Sequence, residues 1–405
     1  MNIFSNKRIL LGVTGSIAAY KAVDLASKLR QAGAEVDVVL TKAAAQFVSA
    51  LTFQSVTGRQ AYTEEDLWGS EGHVLHIGLG QTADLLVIAP ATANTLAKLA
   101  HGQADNLLTL AALAAECPLL AAPAMDGGMY AHPATQANLA TLQERGVEIV
   151  GPAAGHLASG LKAVGRMLEP AELVGHVRLA LGRGGALAGR KVVVTAGGTR
   201  EAIDPVRYIG NRSSGKQGFA LAQAALDLGA EVMLISGPTS LEAPVGVQRV
   251  EVHSAQDMLE AVGQASKDAD ALLMAAAVAD FKPAERAAEK IKKKDGWSRI
   301  ELTPTEDILV EIAKRKKTAG FPKVTVGFAA ESQDLVENAE KKLKAKRLDL
   351  IAANDISAAD AGFETDTNRV TMLAADGSKE ELALMSKAEV AEQVLARVVS
   401  LVGER

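Results

Sequence analysis

Residues 190–199 read RKVVVTAGGT, and residues 7–14 read KRILLGVT. Each is a short apolar run that breaks into glycine and threonine. This is the pattern of a strand buried on both faces that leads into a tight polar turn. The succession of elements behind the run is alike in both places. The first run is succeeded by a helical pattern over residues 18–31, a stop at Gly33 and a second strand, EVDVVLT. The other is succeeded by FALAQAALDLGA, with Gly229 closing the helix, and the strand EVMLISGP. A glycine just past each helix suits a left-handed cap. Alternating strands and helices imply parallel pairing by crossover. The expected fold class is therefore α/β: two Rossmann-like domains with mostly parallel sheets, helices on both faces, and ligands at the carboxyl ends of the strands.

Between the halves, residues 181–190 read LGRGGALAGR, with four glycines in ten positions, which marks a linker. The expected boundary divides the chain into residues 1–185 and 186–405. Two domains suit 405 residues at ~150 per domain. Apolar residues make up 48% and aromatics only 3%, so small side chains must fill the layers, as they do where helices sit close to a sheet. A net charge of −5 with no basic excess argues against nucleic acid as a partner, and the lysine run at residues 290–294 is too short to reverse that. The apolar run behind Lys7 and Arg8 is too short for a signal peptide. No window reaches the ~18 apolar residues of a membrane span, so no membrane partner is expected. The single cysteine, Cys117, rules out an intrachain disulfide and fits a reducing, cytoplasmic setting. It sits in AAECPLLAA before a buried strand and reads as a small core residue.

Four loops of the first half fall where strands should end. Gly12, Gly15, Ser16 and Ala19 follow the first strand, and their small size lets backbone N–H groups approach an anion at a helix start. The spacing is not that of a dinucleotide fingerprint. Thr41 follows the second strand. Pro90 introduces Thr92, Ala93 and Asn94, whose side chains and amides could hydrogen-bond a ring or a phosphate, and Pro123 introduces Met125 and Asp126. His76, in HVLHIGL, reads as lying just before a glycine-rich helix start.

Taken in order, GSIAAYK, HIGL, APATANTLAKLAHGQADNLL, PAM and GGMY resemble the flavoprotein family of cysteine decarboxylases, and among them phosphopantothenoylcysteine decarboxylase. The resemblance covers residues 6 to about 180. It implies FMN held by Gly15, Ser16, Ile17, Thr41, Thr92, Ala93 and Asn94, with His76 as the active-site base. Two positions depart from that pattern. The family's PAMN motif carries an asparagine that binds the substrate carboxylate, and here Asp126 stands there. An ionised carboxylate has no proton to donate and repels another. The family's flap carries a cysteine acid in an ACG motif, and here GHLASGLKAVGRM places Ser159 at that site, with Lys162 three residues on. A serine hydroxyl is a far weaker acid than a thiol of pKa about 8.5. The departures motivate a rival reading, a ligase whose flavin domain is degenerate or only structural.

In the second half, Gly197 and Gly198 turn the chain after a strand, and Arg207, Asn211, Ser213, Ser214 and Lys216 gather donors ahead of a helix. Such a concentration suits a phosphate-rich ligand. Asp280 ends a buried run, VTVGFAAE ends another at Glu331, and Lys342 and Lys346 are spaced to share a helix face. Cations from this many segments suit a triphosphate better than a monophosphate. The order TAGGTREAIDPVRYIGNRSSGKQG, AAAVADFKP, EKIKK, VGFAAE and KKLKAK resembles phosphopantothenate–cysteine ligase over residues 188 to about 400. The resemblance implies activation of the phosphopantothenate carboxylate by CTP and displacement of CMP by the cysteine amine. It also implies roles for Asn211 and Arg207 at the acyl-cytidylate, and CTP binding by Ala276, Asp280, Lys290, Phe328, Lys342 and Lys346. Mg2+ is expected to offset the triphosphate charge, with its ligands left open. From the two families a homo-oligomer is expected, trimeric through the flavin domains and dimeric through the ligase domains. A dinucleotide oxidoreductase is a further rival, but neither half shows its glycine fingerprint.

Overall fold

The computed structural model describes residues 2–68, 72–292, 299–331, 333–355 and 365–403. The chain forms two compact units, Met1–Gly182 and Arg183–Arg405.

The first unit runs β1 (Arg8–Val13), α1 (Ala19–Gln31), β2 (Glu35–Leu40), α2 (Ala50–Thr57), β3 (Ala61–Tyr62), α3 (Gly72–Thr82), β4 (Leu85–Ala91), α4 (Ala93–His101) and α5 (Leu107–Ala114). It continues with β5 (Leu119–Pro123), α6 (Gly127–Ala131), α7 (Pro133–Glu144), β6 (Glu148–Ile149), a hairpin of β7 (Ala153–His156) and β8 (Lys162–Arg166), and α8 (Pro170–Gly182). The six-stranded sheet has the order β3-β2-β1-β4-β5-β6 and is parallel throughout. Alternate side chains of β1 and β4 feed two separate cores. Ile9, Leu11, Leu85 and Val87 pack with α1 and α8, while Leu10, Leu86 and Ile88 pack with α4, α5 and α7. Burial on both faces is why these strands are written as unbroken apolar runs. Each fully buried Leu or Ile contributes about 1.5–3 kcal/mol relative to leaving it exposed.

The second unit runs β9 (Lys191–Ala196), β10 (Arg200–Ala202), β11 (Tyr208–Gly210), α9 (Lys216–Asp227), β12 (Glu231–Ser236), β13 (Gln248–Glu251), α10 (Ala255–Ala265), β14 (Ala271–Met274), β15 (Phe281–Pro283) and β16 (Leu302–Pro304). Then come α11 (Ile308–Ala319), β17 (Val324–Glu331), α12 (Leu335–Ala345), β18 (Leu350–Asp355), β19 (Thr367–Asn368), β20 (Val370–Ala374), β21 (Lys379–Glu381), β22 (Met385–Ser386) and α13 (Lys387–Gly403). Its main sheet is ordered β13-β12-β9-β14-β17-β18-β20-β21. The first six strands are parallel and repeat the order of the first unit, and β20 and β21 extend the edge antiparallel. The sheet is thus mixed, as expected of a mostly parallel one. In both units the strand order reverses beside the first strand, which opens a crevice between β1 and β4 and another between β9 and β14.

Gly33 and Gly229 have φ of +108° and +83°, the left-handed conformation expected behind α1 and α9. The glycine-rich stretch between the units is less free than its composition implies. Leu187 is buried, its N–H donates to the Leu228 carbonyl at 2.8 Å, and a Cβ at Gly185 would overlap the Leu228 backbone. Cys117 is half-buried against the α4–α5 side core, and burial pushes its thiol pKa up.

Candidate functional sites

In the first unit, the buried Thr14 stitches the crevice together. Its hydroxyl donates to the Pro90 carbonyl at 2.6 Å and accepts from Thr92 N–H at 3.1 Å. The Thr41 N–H donates to the Val13 carbonyl at 3.0 Å, which brings the end of β2 alongside. Around these bonds lies a cavity of about 650 Å³, and Gly15, Ser16, Thr41, Thr92, Ala93 and Asn94 all line it. Met125 and Met129 supply an apolar wall. A Cβ on Gly15 would overlap that of Ala43, so only glycine keeps this wall open. The first turn of α1 has no side-chain cap on its N-terminal amides, which leaves a positive helix end beside the cavity. Small walls, an uncapped helix start and this volume fit a flavin with its phosphate. Gly15→Val is expected to lower flavin content about tenfold or more, equivalent to ~1.4 kcal/mol, measured as visible absorbance per chain. The cleft of the other unit should be unaffected.

Other predicted residues lie elsewhere. Ile17 is 58% exposed and is not part of the cavity wall. His76 does not precede a helix start. It lies within α3, half-buried, because the apolar periodicity of Leu75 and Leu79 carries the helix through it, and its buried Nδ1 finds no partner among the described residues. Asp126 and Ser159, the two departures from the family pattern, touch each other. The Ser159 hydroxyl donates to Asp126 Oδ2 at 2.7 Å, and Asp126 Oδ1 accepts from Gly128 N–H at 2.9 Å at the start of α6. These bonds, that from Ser159 foremost, hold the carboxyl below the usual carboxylate range. Ser159 sits at the tip of the β7–β8 hairpin, whose base is fastened by Met125 N–H to the Gly165 carbonyl at 3.0 Å. Lys162 is exposed at the start of β8.

In the second unit, threonines perform the same stitching. Thr195 Oγ1 accepts from Ala276 N–H at 3.1 Å, and Thr199 Oγ1 accepts from Ala279 N–H at 2.9 Å. Asn211 Nδ2 donates to the carbonyls of Val278 at 3.0 Å and Ala277 at 3.4 Å. The cleft they shape holds about 440 Å³ and gathers Asn211, Ser213, Ser214, Lys216, Ala276, Asp280, Phe328 and Lys346. Lys346 pairs with Asp307, the N-cap of α11, at 2.8 Å.

Three predicted residues are not in the wall of this cleft. Arg207 is taken up by Asp204, which is 2% exposed. Its Nε donates at 2.9 Å, and its Nη2 donates to the same carboxylate oxygen and to the Ile291 carbonyl at 2.8 Å. A buried carboxylate needs a paired cation more than an open cleft does, and Arg207, foremost among its partners, drives the Asp204 pKa far below the usual range. Lys290 is exposed next to the Ile291 that this network holds, and residues 293 and 294 of its run lie outside the described residues. Lys342 is on α12, but that helix stops at Ala345, so Lys346 leaves the shared face and reaches the cleft without it. Conversely, Asn354, Asn368 and Lys387 line the cleft and were not read from the sequence. The antiparallel pairing of β18 with β20, Asn354 opposite Val370, delivers the first two. A turn-forming asparagine and a lysine opening an amphipathic helix give no signal of this in one dimension.

Two α/β units, each with a ligand cavity where its strand order reverses, define a two-site enzyme with a flavin-type crevice in one half and an anion-binding cleft in the other. Residues 3–181 match the family Flavoprotein, and residues 187–401 match the family described as DNA/pantothenate metabolism flavoprotein C-terminal domain. The Coenzyme A biosynthesis bifunctional protein CoaBC of Bacillus subtilis strain 168 is 46% identical over 409 residues, covering 100% of both chains. That of Mycobacterium tuberculosis H37Rv is 45% identical over 97% of this chain and 96% of its own. Among solved structures, the C-terminal domain of a protein of that name is 42% identical, with a TM-score of 0.46 over 54% of this chain and 99% of its own. A mutant PPC decarboxylase complexed with pantothenoylaminoethenethiol is 39% identical, with a TM-score of 0.40 over 43% of this chain and 97% of its own. The chain belongs to the family of coenzyme A biosynthesis bifunctional proteins. It is a bifunctional enzyme of that pathway, with decarboxylase and ligase activities, and it is a flavoprotein. The rival in which the flavin domain is only structural is not favoured. Among the described residues, no helix is long and apolar enough to cross a membrane.

Proposed function

We propose that the second unit joins cysteine to phosphopantothenate at the expense of CTP, and that the first unit, with FMN, decarboxylates the product to phosphopantetheine in the cytoplasm. The observation that carries the ligase assignment is the convergence of Asn211, Ala276, Asp280, Phe328 and Lys346 on one cleft, from four separate stretches of chain. The phosphopantothenate carboxylate attacks the α-phosphate of CTP and releases pyrophosphate. The cysteine amine then forms a bond to the acyl carbon, the acyl–oxygen bond breaks, CMP leaves with the electron pair, and the nitrogen gives up a proton. Asn211 holds the strand-end carbonyls in place beside the reacting phosphoanhydride. Lys346 balances triphosphate charge, and Asp280, in the same cleft, would stand near any Mg2+ bound with the nucleotide, which would offset the phosphate charge. Arg207 supports the loop before Asn211 through Asp204 instead of touching the nucleotide, and Lys290 and Lys342 reach CTP only if their side chains move inward.

In the first unit Gly15, Ser16, Thr41, Thr92, Ala93 and Asn94 hold FMN, with Ile17 on its exposed rim. Bound flavin supplies the two-electron oxidation of the cysteine side chain that lets carboxylate leave, and afterwards returns the electrons. His76 takes the proton. Asp126 fixes Ser159 over the site, and Lys162 on the same hairpin stands as donor for the substrate carboxylate. Exposed Ile17, Tyr20, Phe47, Leu51, Trp68, Val74 and Ile77 support assembly of this unit with further copies, a trimer on our reading. Exposed Val206, Tyr208, Phe281 and Leu302 support a dimer of the other. Nucleotide choice tests the ligase reading. Pyrophosphate release with phosphopantothenate and cysteine should run at least about tenfold faster with CTP than with ATP, a discrimination of ~1.4 kcal/mol. Equal rates would contradict it.

A further inference from the structure

The flavin cavity of the first unit has a charged end that the residues assigned above to FMN leave unused. Glu64, Lys98, Asp105 and Asn106 line it. Lys98 is in the last turn of α4, and its Nζ donates to both oxygens of Asp105, at 2.7 and 2.8 Å. Asn106 holds that carboxylate in place. Its Nδ2 donates to Asp105 Oδ1 at 3.2 Å, while its Oδ1 accepts from Thr109 N–H at 3.0 Å and caps α5. Glu64 is fastened at the same helix start, where Leu107 N–H donates to its Oε2 at 3.3 Å. Lys98, foremost among its contacts, holds the Asp105 carboxyl below the usual carboxylate range, so the pair is ionised at neutral pH.

Stability is a weak reason for this pair. The Asp105 side chain is 61% exposed, and an ion pair with so open a partner adds little to folding. Its place in the cavity gives a better reason. Gly15, Ser16 and the uncapped start of α1 suit the phosphate, and Met125 and Met129 suit the flat face of the ring system. From Thr92, the N-cap of α4, the helix rise carries Lys98 about 9 Å away. The part of a flavin left for this end is its polar edge, with acceptors at N1, C2=O and C4=O around one donor, N3–H. A cation fixed between carboxylates offers that edge both a donor and an acceptor.

We propose that Lys98 meets the N1–C2=O edge of bound FMN and, with Asp105 as its counter-charge, sets the reduction potential of the flavin. The assignment rests on the flavin reading of this unit and adds to it the groups that balance electron uptake against return. Oxidation of the cysteine side chain moves a hydride from its carbon to the flavin and the thiol proton to His76. The flavin gains one negative charge, which resides on N1–C2=O, where a cation stabilises it. The electrons must then be given back. A lone lysine would hold the reduced form too tightly, and the carboxylates of Asp105 and Glu64 offset it.

The test reads the potential of the holoprotein against a reference dye, and FMN affinity of the apoprotein by fluorescence. Lys98→Met should weaken binding of reduced FMN about tenfold more than that of oxidised FMN, which lowers the potential by about 30 mV. Asp105→Asn breaks the same ion pair but should raise the potential by a similar amount. Lys98→Arg should stay near wild type, and the double variant Lys98→Met/Asp105→Asn should return toward it. Loss of a merely structural contact would move both single variants the same way. Shifts of one sign in both, or an unchanged potential in Lys98→Met, would overturn the assignment. If Lys98→Met does not retain FMN, the sign of the shift in Asp105→Asn decides, and a fall or no change there overturns it. A wild-type apoprotein that takes up no FMN would instead defeat the flavin reading itself.

Discussion

Asn211→Asp is expected to lower ligation by roughly 100- to 1000-fold, the loss of ~2.7–4 kcal/mol typical of removing one preorganised donor from an active site. The effect has two sources, both visible at the site. The amide donates to the carbonyls of Val278 and Ala277 at 3.0 and 3.4 Å, where the loop after β14 forms the cleft wall. An aspartate would face those oxygens with a negative charge and no proton, and would also repel the triphosphate and the acyl phosphate formed from it. Asn211 is exposed in the structure, so the substitution leaves no buried cavity and little change in melting temperature is expected. Pyrophosphate release measures the loss. Decarboxylation of supplied phosphopantothenoylcysteine should be untouched, since we propose that it takes place in the other unit. Wild-type ligation in Asn211→Asp would remove this residue from the mechanism.

His76→Asn is expected to act in the opposite half, lowering carbon dioxide release by ~100- to 10,000-fold, the usual span for a general base. Asparagine keeps a polar side chain on α3 but cannot carry the proton. The Nδ1, shielded and without a partner among the described residues, supports a ligand-directed role, since a purely structural histidine would be expected to have both ring nitrogens satisfied. Flavin absorbance should remain, because His76 is not part of the cavity wall. Ligation should also be retained. Normal carbon dioxide release in this variant would mean that another group is the base. Loss of flavin together with activity would assign His76 to structure.

The parts of this molecule legible in sequence are those written locally. Strands β1, β4, β9 and β14 are buried on both faces and so appear as unbroken apolar runs. The turns behind them must be small, and Gly15, Thr92 and Ala276 announce that directly. Residues brought together across the sheet edge are not written in this way. Asn354 and Asn368 meet the cleft only because β20 returns antiparallel against β18, and nothing in the spacing of two asparagines encodes that return. Arg207 reads as a ligand because it stands in a row of donors. The competing signal is Asp204 three residues earlier, whose burial decides where the guanidinium goes. Asp126 and Ser159 are legible singly, as departures from a family pattern. Their hydrogen bond across 33 residues is not, and it recasts two apparent losses as one exchanged pair.

On the proposed function, the first unit completes what the second begins. The purified chain, given phosphopantothenate, CTP and cysteine labelled at the carboxyl carbon, should release labelled carbon dioxide and phosphopantetheine in equal amounts, each matched by one CMP and one pyrophosphate. Formation of CMP and pyrophosphate while phosphopantothenoylcysteine accumulates and no label enters the gas phase would contradict a chain in which both units work in sequence.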